Sequence, residues 1–182
     1  TGSSACWYAP YSRGGSWCLR ITWRTLLPLM AQHDPDTLAA GLRLASWGLP
    51  VHWLRSPHGG LERGRGKAPI ARGWQSAPCA DQAQLQATFT PGLNIGLRTG
   101  VVAGARRALV AIDFDGAEAL RWGRLHLPQS PIRTRTGPDR EHWFFARPPA
   151  GIRNSVGSVP GVDVRGDQGQ VVVAPSVHPG TL

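Results

Sequence analysis

Ala108-Leu-Val-Ala-Ile-Asp-Phe-Asp-Gly116 decides how the rest of the chain is read. Five consecutive apolar residues rich in Val and Ile predict a strand buried on both faces, and the run then delivers two acids before breaking on a glycine. Side chains two apart on a strand share a face, so Asp113 and Asp115 point the same way. Two carboxylates side by side repel unless a cation stands between them, which makes a divalent metal with oxygen ligands the natural occupant. The same residues also suit an Asx-type turn capping the helix that starts near Gly116.

Outward from this strand, composition sets the bounds. A chain of 182 residues can bury one core, or one core and a small lobe, and its 23 Gly and 16 Pro imply many turns and few long helices. The net charge is +9, unevenly spread: residues 1–100 carry ten Lys or Arg against four acids, and residues 101–182 carry ten against seven. A basic body around an acidic spot suits a polyanionic ligand handled through metal ions, although an Arg-rich solvated surface would look the same. Cys6, Cys18 and Cys79 lack metal-ligand spacing, which argues against a zinc site or a disulfide framework. The apolar stretch Leu26–Met30 is too short to cross a bilayer and contains Pro28, so a cytoplasmic protein with no membrane partner is expected.

Along the chain, residues 1–33 contain no Asp or Glu and show no period; they read as a tail of uncertain order. The first residue, Thr1, suggests a fragment. Asp34-Pro-Asp36 opens a helix whose stripe Leu38, Leu42, Ala45, Leu49 ends at Gly48-Leu-Pro50. A short strand Val51–Leu54 follows, then a basic, Gly-rich loop from Ser56 to Gly66 that ends at Lys67, the only lysine. Asp81 caps a helix running to Phe89, Leu93–Leu97 is a strand, and Arg98-Thr-Gly100 is a loop suited to holding an anion. Ala117–His126 reads as a helix. Ile132–Thr136 with Glu141–Phe145 predicts one hairpin, and Val162–Arg165 with Gln170–Ala174, flanking Gly166-Asp-Gln-Gly169, predicts a second.

Three further residues carry chemistry. His142 shares a strand with Trp143, Phe144 and Phe145. Asp163 lies between Val162 and Val164, so its side chain faces away from them and could join the first acidic pair across a sheet. Arg165, two residues on, shares its face and could meet a phosphate or neutralise Asp163.

Taken in order, Asp113-x-Asp115, His142 before an aromatic strand, Gly161-Val-Asp-Val-Arg-Gly166 and Val171-Val-Val-Ala-Pro-Ser-Val-His-Pro179 resemble the catalytic domain of bifunctional DNA primase/polymerases. These form the prim-pol branch of the archaeo-eukaryotic primase superfamily. The resemblance covers about residues 36–182, including Trp47-Gly-Leu-Pro-Val51, Lys67-Ala-Pro69, Gly73-Trp74 and Asn94-Ile-Gly-Leu-Arg-Thr-Gly100. It implies an α+β fold: a mixed or antiparallel primase-type sheet bearing the metal site, with a small N-terminal α/β unit beside it. It further implies that Asp113, Asp115 and Asp163 bind catalytic Mg or Mn, that His142 contacts the triphosphate of an incoming nucleotide, and that Arg165, His178 and Lys67 are further nucleotide contacts. The implied partners are nucleoside triphosphates and a single-stranded template or primer-template, with a helicase domain or protein as a partner class that no residue here identifies. The sequence departs from the family pattern where Arg140-Glu-His142 replaces small-x-His, and in stopping at Leu182, so that residues 34–182 are expected to form a catalytic domain truncated at its C-terminus.

The expected activity is template-directed nucleotidyl transfer, with Arg55, Arg63, Arg65 and Lys67 holding DNA through phosphate charge. Rival readings exist. Ile112-Asp-Phe-Asp-Gly116 is close to the first motif of haloacid-dehalogenase-type phosphatases, but those need a downstream lysine and none follows Asp115. A non-catalytic single-strand binding module could use the charge and eight Trp, and a metal-dependent nuclease could use the same acids to activate water.

Overall fold

A computed structural model describes residues 37–58 and 64–181. The elements are α1 (Thr37–Ser46), β1 (Val51–Leu54), α2 (Gln82–Thr88), β2 (Asn94–Arg98), β3 (Leu109–Asp115), α3 (Ala117–His126), β4 (Ile132–Gly137), β5 (Arg140–Ala146), β6 (Ser155–Val159), β7 (Val162–Arg165) and β8 (Gln170–Val173), with a 3-10 turn at Pro179–Thr181. The fold is α+β, with two antiparallel sheets: three strands in the order β1-β2-β8 and five in the order β4-β5-β3-β7-β6. The tail read over residues 1–33, the helix start at Asp34-Pro-Asp36, and Cys6, Cys18 and Arg63 lie outside the described residues.

β3 is the axis, because its two faces serve two cores. Leu109 and Ala111 join Phe144 of β5 in a core shared with the small sheet's Val51, Trp53, Ile95, Leu97, Val171 and Val173 and with Leu44 and Leu85 of the first two helices. Ile112 and Phe114, of opposite parity, pack with Ala119 and Leu120 of α3, Trp143 and Val162. Asp113 and Asp115 therefore continue the face that begins with Leu109 and Ala111. That face is apolar where the small sheet covers it and acidic where the cover ends.

Local chemistry sets the helix ends. α1 stops in a Schellman arrangement: Gly48 takes φ +80°, its N–H donates to Ala45 and the Leu49 N–H to Leu44. Its fully buried face is Ala40, Gly41 and Leu44, with the predicted Leu38, Leu42 and Ala45 only partly covered. At α2, the Asp81 carboxylate accepts from the Gln84 N–H at 2.8 Å while the Gln84 side chain accepts from the Asp81 N–H at 3.0 Å. Such a capping box stabilises a helix by about 1 kcal/mol.

Three sequence expectations are corrected. Val162–Arg165 and Gln170–Ala174 do not form a hairpin; β7 pairs with β3 and β6, and β8 pairs with β2 in the other sheet. The connecting Gly166-Asp-Gln-Gly169 crosses between sheets under tight packing, since a Cβ on Gly166 would lie 2.1 Å from the Ile152 carbonyl oxygen and one on Gly169 2.3 Å from the Asn154 Oδ1. The small α/β unit is accordingly not N-terminal alone, for β8 completes it from late in the chain. Finally, Arg98 does not present an anion site: it is 6 % exposed and donates to the carbonyls of Ala77 at 2.6 Å and Gln75 at 2.8 Å. The β6 strand was not foreseen.

Candidate active site

Register places the acidic residues. Asp113 on β3 stands directly opposite His142 on β5 and Asp163 on β7, so three polar side chains form a row across the middle of the five-stranded sheet. His142 Nε2 lies 3.2 Å from Asp113 Oδ1. The ring is 7 % exposed, its edge meets Phe144 at a centroid distance of 6.3 Å, and its Nδ1 is buried with no hydrogen-bond partner among the described residues. Arg165 bridges the two acids, with its Nη2 2.9 Å from Asp163 Oδ2 and 3.7 Å from Asp113 Oδ2. The other oxygen of Asp163 accepts the N–H of Gly157 on β6 at 3.0 Å, so both its oxygens are engaged. Asp115, one pleat along, faces Arg140 with 3.6 Å between Oδ1 and Nε, and both side chains are about half exposed.

Electrostatics follow from this crowding. Burial pushes the Asp113 carboxyl up, but the hydrogen bond and charge of His142 and the charges of Arg165 and Lys67 outweigh it and hold the group below its ordinary value. His178 is lowered by burial and by the charges of Lys67 and Arg140.

A cleft of about 860 Å³ opens between this face and the edge of β8. Asp113, Asp115, His142 and Arg165 line one wall, while Lys67 and His178 belong to the other. Lys67 is carried by residues 64–80, which are strapped across the polar face of the small sheet. Asn94 Nδ2 donates to the Gly66 carbonyl at 2.9 Å, Gln170 Nε2 to that of Lys67 at 3.0 Å, and Arg98 to those of Gln75 and Ala77. Trp74, in the same strap, lines the cleft and tilts against buried His52 at 5.3 Å. The sequence reading overlooked His52, whose pKa burial lowers to about 4 against a raising hydrogen bond that its ring makes to the Gln170 Oε1, with the Arg98 charge lowering it further. Nothing local marks that histidine; only strand pairing puts Gln170 and Trp74 against it.

Among the described residues, no three His, Cys, Asp or Glu side chains stand together as a metal-holding group. Guanidinium groups take the cation positions instead, Arg165 between Asp113 and Asp163 and Arg140 beside Asp115. The donor chemistry still fits a hard divalent cation: the acids offer only carboxylate oxygen, and two of them already draw one cation between them. Among the described residues, no helix is long and apolar enough to cross a membrane.

A family model described as bifunctional DNA primase/polymerase, N-terminal, matches residues 23–181, a range starting upstream of the residues that carried the resemblance. No curated protein matches the chain.

Proposed function

The chain belongs to the bifunctional DNA primase/polymerase N-terminal family, and from that membership we propose that its cleft performs metal-dependent, template-directed nucleotidyl transfer on DNA. The observation that supports this reading most is the row His142-Asp113-Asp163 across the sheet, whose His142 and Asp113 line, together with Lys67 and His178, a cleft large enough for a nucleotide.

In this reading Asp113, Asp115 and Asp163 hold Mg or Mn. Bound there, the ions would make the attacking hydroxyl easier to deprotonate and would offset the negative charge on the departing pyrophosphate. The chain's own residues do the positioning. His142, fixed by Asp113 on one nitrogen, turns its unpartnered Nδ1 toward whatever polar atom enters beside it. Lys67 and Arg165, on opposite walls, hold the phosphates between them. His178, biased toward its neutral form, offers a hydrogen bond without another charge. Template and primer backbones lie on the basic surface that includes Arg55, Arg65 and Lys67, and are held without base reading.

Incubation with a labelled primer-template, nucleoside triphosphates and Mg or Mn tests the reading. Extension of the primer is the expected result; degradation would assign a nuclease, and binding without either a non-catalytic single-strand module.

A further inference from the structure

Among the described residues, Arg165 is the one cation lodged between two of the acids, and its position suits a group that leaves. It reaches Asp163 at 2.9 Å but Asp113 only at 3.7 Å, it keeps about a third of its side chain exposed, and it lines the open cleft. The salt bridge between Arg147 and Asp167 shows what a fixed pair looks like in this protein. There, Nε and Nη2 bind both carboxylate oxygens at 2.5 and 3.0 Å, and the arginine is anchored further by the Pro148 carbonyl at 3.0 Å. Arg165 has a single short contact, made through one nitrogen.

Resting on the function proposed above, we infer that Arg165 is an exchangeable internal counter-ion, which neutralises Asp113 and Asp163 while the cleft is empty and gives them up to a divalent cation as it swings to the phosphates of a nucleotide. The charge arithmetic drives the exchange. Two carboxylates on adjacent strands need positive charge between them, and a guanidinium supplies it in the absence of metal. A divalent cation entering the same space meets a resident positive charge and must displace it. A triphosphate gives the displaced planar guanidinium a bidentate partner of higher charge than the carboxylates it left. Metal and nucleotide thereby support each other's binding through one side chain, in the reciprocal manner that linkage requires. Arg165 is a positioning residue for the acids in one state and a ligand contact in the other.

The test reads metal binding, with no turnover involved. Mn binding to the intact chain is measured by electron paramagnetic resonance of the free ion, without nucleotide. Removing the competitor in Arg165→Gln should tighten Mn binding by about tenfold, the scale expected when one unit charge leaves a half-buried site. Arg165→Met, apolar and unable to hydrogen-bond the acids, should do the same, and Arg165→Lys, which keeps the charge, should stay close to the parent. Circular dichroism establishes that each variant is folded, and the two neutral variants guard against misfolding of either. Mn affinity unchanged or weakened in the folded neutral variants would overturn the inference, with Arg165 then a structural brace for Asp163. Primer extension measured separately on the parent keeps the two readings apart: extension with no gain in Mn affinity sinks only the exchange, whereas a gain in Mn affinity without extension sinks only the polymerase reading.

Discussion

Asp113 occupies the position where most interactions meet, being bonded to His142, approached by Arg165 and lowered in pKa despite its burial. Replacing Asp113 and Asp115 together by Asn should reduce primer extension by roughly 100-fold or more, the scale seen when charge-stabilising groups are removed from a site. DNA affinity should survive, which a binding assay run beside the extension assay checks. His142→Ala should weaken nucleotide binding by about tenfold, as expected for one charge-assisted hydrogen bond, with Mn affinity little changed in calorimetry. His52 makes a different prediction, about pH. Its folded pKa of about 4 lies below the unfolded 6.5, so the unfolded chain binds more protons between those values and stability falls as pH drops through that window. From pH 7.5 to 5 the loss attributable to this group is about 2 kcal/mol, and His52→Gln should remove it from the denaturant-derived stability difference. Asp113 acts in another window: its depressed pKa contributes stability above the unfolded 3.8 that is lost only as pH falls further, through its folded value.

Elements set apart what was legible from what was not. β1 and α3 match the sequence reading to the residue, because each is bounded by a local signal: Pro50 before one, Gly116 and Pro128 around the other. The hairpin of β4 and β5 was legible from Gly137-Pro-Asp139 between alternating runs. β6 was not, since Ser-Val-Gly-Ser-Val offers little apolar alternation and its strand is held only by β7 at the sheet's edge. The false hairpin of β7 and β8 came from proximity in sequence. What separates them is tertiary, namely Asn154, Thr99 and Ile152 packed around the two glycines of the link. The parity of Asp113, Asp115, Asp163 and His142 could be read from strand periodicity, and with it Arg165 as a partner for Asp163; the reach of Arg165 to Asp113 and of Arg140 to Asp115 could not, because register and side-chain reach decide those contacts. Of the strap over residues 64–80, the sequence marked only the end of the Ser56–Gly66 loop and Lys67; its anchors Asn94, Arg98 and Gln170 lie on two distant strands. Gln170→Ala would release the Lys67 carbonyl and should lower nucleotide affinity several-fold through a looser Lys67, while costing about 1 kcal/mol of stability.

At the scale of the molecule, one core couples the two sheets. Phe144, Leu109 and Ala111 from the large sheet pack with Val171, Val173 and Ile95 from the small one, so neither sheet keeps its apolar face covered without the other. Phe144→Ala should lower stability by about 3–5 kcal/mol. Tryptophan fluorescence and far-ultraviolet circular dichroism should shift together in one transition, the mark of a single cooperative unit. Charge acts at this scale too. Neutralising Arg55, Arg65 and Lys67 should weaken DNA binding and flatten its dependence on salt, whereas the double Asn variant should keep the slope of the parent. The late arrival of β8 has one more consequence, for how the protein is made. Synthesis runs from the N-terminus, and β1 and β2 leave the ribosome some seventy residues before the strand that covers β2's other edge. Until Val173 has emerged, β2 presents an unpaired edge and half an apolar face, a template for pairing with other nascent chains. The wall of the cleft that carries Lys67 and His178 is thus completed only after every strand of the large sheet has emerged, and a polyribosome is where its assembly is most exposed to error.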